Sequence, residues 1–161
     1  MLDVNYIAHV IRLTLTGSPF PHTGRAIPLL LGTCAQESCF EYNQQLGGGP
    51  ALGWWMCEPA TEQDIWSTYL AVQPTLVDWI VTHAGQGEAN PSALQHNLVY
   101  QILMARIQYY RMDPDPLPAA DDLDEQSVRW KLYYNTPLGA GTPEQYLDAY
   151  ARYVAPYYTP R

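Results

Sequence analysis

The sequence has few basic residues. Lysine and arginine together number 8 against 16 aspartates and glutamates, which gives a formal net charge of −8. A nucleic-acid-binding protein normally carries a basic cluster that neutralises phosphates, and the chain has no such cluster, so we expect no nucleic-acid partner. The same negative field would not attract an anionic polymer from a distance, so local contacts must hold a substrate of that kind.

Long apolar runs are also missing. No stretch approaches the ~20 consecutive apolar residues of a membrane-spanning helix, so we expect no membrane span. The first fifteen residues carry Asp3, His9 and Arg12 within their apolar pattern, which is not the pattern of a secretory signal peptide. We therefore expect the protein to be delivered to its place of action by another route.

Cysteine and histidine are scarce. The spacing of Cys34, Cys39 and Cys57 matches no zinc motif, and the 4 histidines show no ligand spacing. The sequence therefore predicts neither a metal nor another cofactor. We interpret the cysteines as buried free thiols, and one disulfide with one free thiol is the alternative.

Tyrosine and tryptophan are abundant, whereas phenylalanine is rare. The chain has 13 Tyr and 5 Trp but only 2 Phe. Tyr and Trp combine an apolar ring with a polar tip, which suits a core that borders a wet groove, and their rings also stack on sugars. With 161 residues, of which 47% are hydrophobic, the chain 1–161 fits a single domain with a sizeable core.

Apolar residues recur at helical spacing through most of the chain. The predicted helices cover 3–15, 25–41, 59–70, a short segment around 76–80, 92–111 and 124–135, with a last helix opened by a capping box at Thr142. The sequence places Pro28 in the first turn of the second helix and Ser92 at the N-cap of the long one. A loop is predicted over 113–118. Only 47–56 could form a small hairpin, so the predicted class is all-α with at most that minimal β element.

Glu37 is the strongest candidate for chemistry. It lies near the end of the most apolar predicted helix, between Cys34 and Phe40. Burial and the negative end of the helix dipole both disfavour its carboxylate, so both raise its pKa. A carboxylic acid that stays protonated near neutral pH is what cleavage of a glycosidic bond requires from its general acid. On this residue alone, a solvated glutamate at a helix edge remains the competing interpretation.

Three short segments, taken in order, resemble the motifs of the lytic transglycosylase superfamily, which includes the goose-type lysozymes. Glu37-Ser38 matches the catalytic Glu-Ser of the first motif. Gly53-Trp54-Trp55-Met56, followed by Pro59-Ala60-Thr61, corresponds to the second motif, Gly-Leu-Met-Gln with a later Pro-x-Thr. Tyr134-Asn135 matches the Tyr-Asn of the third. The resemblance spans about residues 25–155 and implies a lysozyme-like fold.

The second and third motifs depart from the family pattern. Met56 stands where the family has a Gln that hydrogen-bonds near the bound sugar, and a thioether is a poor substitute for an amide. Trp54 and Trp55 replace Leu-Met, and we expect at least one of them to be partly exposed beside Glu37 and to stack on a sugar ring. Thr136-Pro137 replaces a small residue and Gly.

The resemblance implies a reaction. Glu37 would protonate the oxygen between N-acetylmuramic acid and N-acetylglucosamine and then act as the base on the muramic 6-hydroxyl, giving a 1,6-anhydro product. By analogy, Tyr134 would orient Glu37 by a hydrogen bond, either direct or through one water, whereas Ser38, Gly53 and Asn135 would help to bind the glycan. Hydrolysis would need a base for water, usually a second carboxylate. Glu58 and Asp64 are the candidates, and for Glu58 we favour a helix-capping role.

These features suit a bacteriophage protein that acts on peptidoglycan, either from the virion or within the infected cell, at the bacterial cell wall. Its expected partners are glycan strands and other virion or tail proteins. The alternative is a structural virion or tail protein that keeps the fold and has little or no activity. The Met56 replacement favours the structural alternative, and the intact Glu37-Ser38 pair favours the enzyme.

Overall fold

The computed structural model describes residues 2–113 and 117–160, which fold into eight α-helices. The helices are α1 (Val4–Leu15), α2 (Thr23–Ser38), α3 (Pro59–Asp64), α4 (Pro74–Ala84), α5 (Pro91–His96), α6 (Leu98–Met112), α7 (Leu123–Trp130) and α8 (Pro143–Tyr153). The all-α prediction is confirmed. The predicted loop over 113–118 falls partly on 114–116, outside the described residues.

Two helices continue as π-helical turns. α3 passes into a π turn at Ile65–Tyr69 and then a 3-10 turn at Leu70–Val72, and α7 passes into a π turn at Lys131–Asn135. A π turn adds a residue to the helical repeat and often marks a functional position. The second of these turns carries the Tyr134-Asn135 pair, so the direction of those side chains does not follow simple α-helical spacing.

The β element is smaller than a hairpin. Leu52 forms isolated antiparallel bridges to Gln44 on one side and to Cys57 on the other. The described residues contain no extended strand, in agreement with the minimal β structure expected at 47–56. These bridges hold the segment after α2 against the segment before α3.

α2 is the central helix. Its buried residues run almost without interruption from Ala26 to Ala35, and it packs against α1, α6, α7 and α8. The apolar composition of α2 follows from this position, because a helix with neighbours on most sides has little face left for solvent. None of the helices in the described ranges is long and apolar enough to cross a membrane.

The predicted position of Pro28 is wrong. α2 begins at Thr23, so Pro28 is the sixth residue and lies inside the helix rather than in its first turn. Proline lacks the N–H that would bond to the carbonyl of Gly24 and normally disturbs a helix interior. Pro28 is itself buried among the core residues, so its ring contributes apolar contact in partial exchange for the missing hydrogen bond.

The single helix predicted over 92–111 is in fact two. α5 and α6 are separated at Asn97, which has an extended conformation and caps α6 by accepting from the Tyr100 N–H. Asn90, rather than Ser92, caps α5. Both asparagine side chains compete with the helical backbone for its hydrogen bonds and so favour caps over helix interiors. The apolar periodicity is nearly continuous across the break, which is why it predicted one helix.

Candidate active site

Glu37 lies in the last turn of α2 and is partly buried. The helix ends because Cys39 and Phe40 both adopt left-handed backbone conformations, with φ of 52° and 55°. Two such residues in succession turn the chain sharply away from the helix axis. The Glu37 carboxyl is therefore presented at a helix end, beside the segment that returns toward Leu52.

Trp130 provides the hydrogen-bond donor to Glu37. Its indole Nε1 donates to Glu37 Oε1 over 2.9 Å, and its ring is fully buried at the end of α7. The ring lies tilted against Tyr146, with centroids 5.8 Å apart. A side chain at Gly141 would collide with the indole, so this glycine allows the loop before α8 to close over Trp130.

The pKa of Glu37 is raised from 4.5 to about 7. Burial is the main cause, and the hydrogen bond from Trp130 opposes it by stabilising the carboxylate. At neutral pH the group is therefore poised between its acid and its base forms. Such a carboxyl can give a proton to one atom and accept one from another at the same pH.

Two adjoining cavities meet at Glu37. One has a volume of about 410 Å³ and the other about 310 Å³, and Glu37, Met56 and Glu58 line both. The larger cavity continues past Tyr42 and Leu46. The smaller one continues along polar side chains, which are Thr61, Gln108, Tyr134, Asn135 and Thr136. The acid thus stands where a ligand that occupied both cavities would cross from one to the other.

The backbone around Glu37 is unusually strained. Five non-glycine residues in the described ranges have positive φ, and they are His22, Cys39, Phe40, Met56 and Thr136. Three of them line the two cavities, and a fourth, Phe40, follows Cys39 directly. Residues held in left-handed conformations cost free energy and cluster where a site requires a particular geometry.

The two tryptophans of the second motif do not line this site. Trp55 is only 1% exposed, and its Nε1 donates to Leu30 O over 2.9 Å, so the prediction that its ring contacts substrate is wrong. Trp54 is partly exposed, but it lies outside the linings of both cavities.

Gly53 and Met56 form the turn that places this segment. Gly53 has a φ of +76°, and a side chain there would collide with the carbonyl oxygen of Leu94. Met56 also has a positive φ, of 49°, and it lies in the lining of both cavities. Gly53 therefore has a structural role in the turn, whereas Met56 lines both cavities and Thr61, at the end of the second motif, lines the smaller one.

Tyr134 makes no direct hydrogen bond to Glu37 within the described residues. The Tyr134 hydroxyl donates instead to Trp55 O over 2.6 Å, and the ring stacks on Tyr109 with centroids 5.3 Å apart. The π turn redirects Tyr134 toward the backbone of the second motif, and Trp130 takes the place beside the acid. Tyr134 still lines the smaller cavity with Glu37. Burial, reinforced by the charges of Cys57 and Glu37, raises its pKa well above 10.

Asn135 and Ser38 lie at the site but are already engaged. Asn135 lines the smaller cavity, and its Oδ1 accepts from Lys131 Nζ over 2.8 Å. Ser38 lines the larger cavity, is 2% exposed and donates from Oγ to Cys34 O over 3.0 Å. Either residue can reach a ligand only with the polar atoms that these bonds leave free.

The two candidate second carboxylates have different surroundings. Glu58 occupies the N-cap position of α3, as expected, but its side chain makes no capping hydrogen bond. It is exposed and lines both cavities beside Glu37. Asp64 instead forms an ion pair with Arg111 over 2.6 Å, which lowers the pKa of Asp64, and it lies outside both linings.

The three cysteines are free thiols, as the sequence predicted. Cys34 and Cys57 are buried, and Cys39 is partly exposed at the edge of the larger cavity. Burial raises the pKa of Cys57 to about 12 and that of Cys34 still further, so both stay protonated near neutral pH. Within residues 2–113 and 117–160, no three His, Cys, Asp or Glu side chains gather as a metal site.

Trp130 is the site residue that sequence reasoning missed. It precedes Tyr134 by four residues, so the pattern that predicted a side chain over Glu37 applied equally to both.

Comparison of the chain with models of protein families, with curated proteins and with solved structures finds no match.

Proposed function

We propose that the protein is a lytic transglycosylase with a lysozyme-like fold, which cleaves the β-1,4 bond between N-acetylmuramic acid and N-acetylglucosamine. One observation carries the proposal. A glutamate with a pKa of about 7 stands at the junction of two cavities. This is the position of an acid that acts on a bond between two sugars, one in each cavity.

Glu37 acts first as acid and then as base. It gives its proton to the bridging oxygen, and the bond from that oxygen to the muramic C1 breaks. The glutamate that remains takes the proton of the muramic 6-hydroxyl, whose oxygen bonds to C1 and closes the anhydro ring. The substrate's own acetamido group stabilises the intermediate, so no second carboxylate is required.

Trp130 holds the Glu37 carboxyl in place during both proton transfers. Its N–H binds Oε1, which leaves Oε2 as the oxygen that carries and receives the proton. An uncharged donor holds the carboxyl in one orientation in both protonation states. It stabilises the carboxylate only moderately, so the group keeps a pKa near that of a bidirectional catalyst.

Glu58 supports muramidase-type hydrolysis as the variant reaction. Its side chain is exposed and lies in both cavities with Glu37, where a carboxylate could act as base on a water molecule. Asp64 is paired with Arg111 and is the weaker candidate. An anhydro end and a reducing end are therefore the two products to be distinguished.

Mass spectrometry of the products from purified peptidoglycan tests the proposal. An anhydro end is the expected product for the wild type, and no product is expected for Glu37→Gln. A Glu58→Gln variant separates the two reactions, because it would stop hydrolysis but leave the anhydro product. Intact peptidoglycan after incubation with the folded wild-type protein would contradict cleavage of either kind.

A structural role in a phage tail or virion is the second candidate. It is favoured by the burial of Trp55 and by the presence of Met56 in both cavities, since neither can offer a hydrogen bond to a sugar there. In that case the partners are other tail proteins, and the site retains the shape but little of the activity. In both cases we place the protein in the phage virion or the infected cell, and the enzyme acts at the bacterial cell wall.

A further inference from the structure

Thr136 has a backbone conformation that is normally restricted to glycine. Its φ is 69° and its ψ is 157°, a combination that residues with a Cβ avoid because the Cβ meets the flanking peptide groups. His22 and Cys39 also have positive φ, but their ψ values of 45° and 21° place them in the left-handed helical region, which is a small allowed region. Threonine is branched at Cβ, so a positive φ is especially costly at position 136.

The surrounding turn enforces this conformation. Thr136 precedes Pro137, and a proline restricts the residue before it to a ψ of about +120° to +160°. The Thr136 carbonyl accepts from the Gly139 N–H over 3.1 Å. Lys131 Nζ joins both ends of the turn, since it donates to Asn135 Oδ1 over 2.8 Å and to Gly139 O over 2.7 Å. A strained residue persists when its surroundings determine its geometry in this way.

The strained residue lies at the candidate active site. Thr136 lines the smaller cavity together with Glu37, and it is exposed. Its hydroxyl makes no hydrogen bond within residues 2–113 and 117–160. The neighbouring Asn135 Oδ1, by contrast, already accepts from Lys131. The Thr136 hydroxyl is therefore a polar group at the cavity that the fold leaves available to a ligand.

Glycine would suit position 136 better if the turn were its only purpose. Glycine adopts positive φ without steric cost, whereas threonine adds a side chain at the cost of strain. Backbone strain of this kind clusters at binding sites, where it holds a group in the geometry that a ligand requires. The group that threonine adds is a methyl and a hydroxyl at the lining of the smaller cavity, and the hydroxyl is the one that can form a directed bond.

We propose that Thr136 is a binding residue, whose strained backbone holds its hydroxyl in place to hydrogen-bond a ring hydroxyl of the sugar in the smaller cavity. The proposal rests on the proposed function. It concerns a position at which this chain departs from the superfamily motif, where Thr136-Pro137 replaces a small residue and Gly. In this role Thr136 contacts the glycan and takes no part in proton transfer.

Three substitutions separate the strain from the hydroxyl. Thr136→Gly removes both, so Tm should rise by about 2–4 °C, because the relief of strain exceeds the entropy that glycine adds to the unfolded chain. Thr136→Val keeps the branched Cβ and removes the hydroxyl alone, so Tm should stay at the wild-type value. Thr136→Ser keeps the hydroxyl. Thr82→Val is the matched control, since Thr82 is an exposed threonine of α4 outside both linings.

Calorimetric titration with the β-1,4-linked hexamer of N-acetylglucosamine measures the contribution of the hydroxyl. Each variant is combined with Glu37→Gln, which stops cleavage during the measurement. Thr136→Val should raise the Kd by about fivefold relative to the Glu37→Gln parent, the effect of one neutral hydrogen bond. Thr136→Ser and Thr82→Val should keep the Kd of the parent. Rescue by serine is the result that a purely structural threonine would not give.

Each outcome decides a separate point. A Tm that does not rise in Thr136→Gly overturns the strain. If the parent binds the hexamer and Thr136→Val keeps the same Kd, the hydroxyl contact is overturned while the proposed function stands. If the parent binds no hexamer, the contact is overturned, and the proposed function falls with it only if the wild type also leaves peptidoglycan intact. Should Thr136→Val fail to fold, Thr136→Ala takes its place, and a folding failure of both means that Thr136 is structural.

Discussion

Two glutamates of this protein, Glu62 and Glu37, are buried to different extents and have different hydrogen-bond partners. Glu62, on α3, is fully buried, and its Oε1 accepts from the Asn90 N–H over 2.6 Å and from the Tyr100 hydroxyl over 2.5 Å. Glu37 is only partly buried, and among the described residues its carboxyl has one donor, the Trp130 indole. Glu62 therefore joins α3 to the start of α5 and to α6, whereas Glu37 joins α2 to α7 and faces open space.

Burial alone does not distinguish a catalytic acid from a structural one in this protein. Glu62 is the more deeply buried of the two, but it lies outside the linings of both cavities, whereas Glu37 lines both. Two strong donors make Glu62 a point of attachment between helices. A single donor and an open side leave Glu37 able to exchange its proton.

The largest effect is expected from Glu37→Gln. Losing a general acid costs about 10²–10⁴ in rate, so cleavage of purified peptidoglycan should disappear, while the circular dichroism spectrum stays native. Glu62→Gln is the matched control, and its folded fraction should retain wild-type activity. Wild-type turnover by Glu37→Gln would show that the acid lies elsewhere.

The largest loss of stability is expected from a substitution at Glu62. Glu62→Ala leaves the Asn90 N–H and the Tyr100 hydroxyl without their acceptor, so we expect the free energy of unfolding to fall by about 3–4 kcal/mol. Urea titration measures this loss. A fall of less than about 1 kcal/mol, the value of one ordinary hydrogen bond, would mean that Glu62 does not hold α3 to α5 and α6.

The third effect is a pH dependence of stability that belongs to Glu37. Its pKa is about 7 in the folded protein and ordinarily 4.5, so the folded state holds a proton that the unfolded state has lost between these values. The stabilisation is complete below pH 4.5 and is lost as pH rises to about 7, by about 3 kcal/mol in total.

Unfolding measured from pH 4 to pH 8, for the wild type and Glu37→Gln in parallel, isolates this contribution. The difference in unfolding free energy between the two proteins should decline through that window and level off above it. A difference that stays constant with pH would contradict a raised pKa for Glu37.

A smaller effect is expected from Trp130→Phe. Removing the N–H takes away the interaction that lowers the pKa of Glu37, so the alkaline limb of kcat/KM should move to higher pH. Trp55→Phe is the matched control. The Trp55 ring is also buried, and this variant also removes a hydrogen bond made by an indole Nε1, in this case to Leu30 O. Both variants should lose stability, and only Trp130→Phe should move the limb.

The smallest effect is expected from Tyr134→Phe. It removes the hydrogen bond to Trp55 O, so the unfolding free energy should fall by about 1 kcal/mol. The alkaline limb of kcat/KM should keep its position, because Glu37 retains its donor. If the alkaline limb of kcat/KM shifts as far in Tyr134→Phe as in Trp130→Phe, then Tyr134 also controls the pKa of Glu37.

Much of the fold was readable from local signals. The capping box at Thr142, the proline at the start of α3 and the apolar face of α1 act within a few residues, so their sequence patterns were sufficient. Asn97 was overlooked because its capping acts against a continuous apolar pattern. Glu62 carried no signal, since it stands in the polar stretch Thr61–Asp64 and is buried only by the helices that pack against it.

Local sequence patterns are sufficient to predict the class of the fold and to choose Glu37 as the candidate acid. Helical periodicity gives the all-α architecture, and the placement of Glu37 at the end of an apolar helix predicts a raised pKa from burial and the helix dipole. The groups that surround that acid depend instead on how the helices pack against one another. The π turn after α7 sends Tyr134 to the backbone of Trp55 and leaves Trp130 against Glu37, because side-chain directions beyond a helical irregularity depend on packing between helices and not on spacing along one.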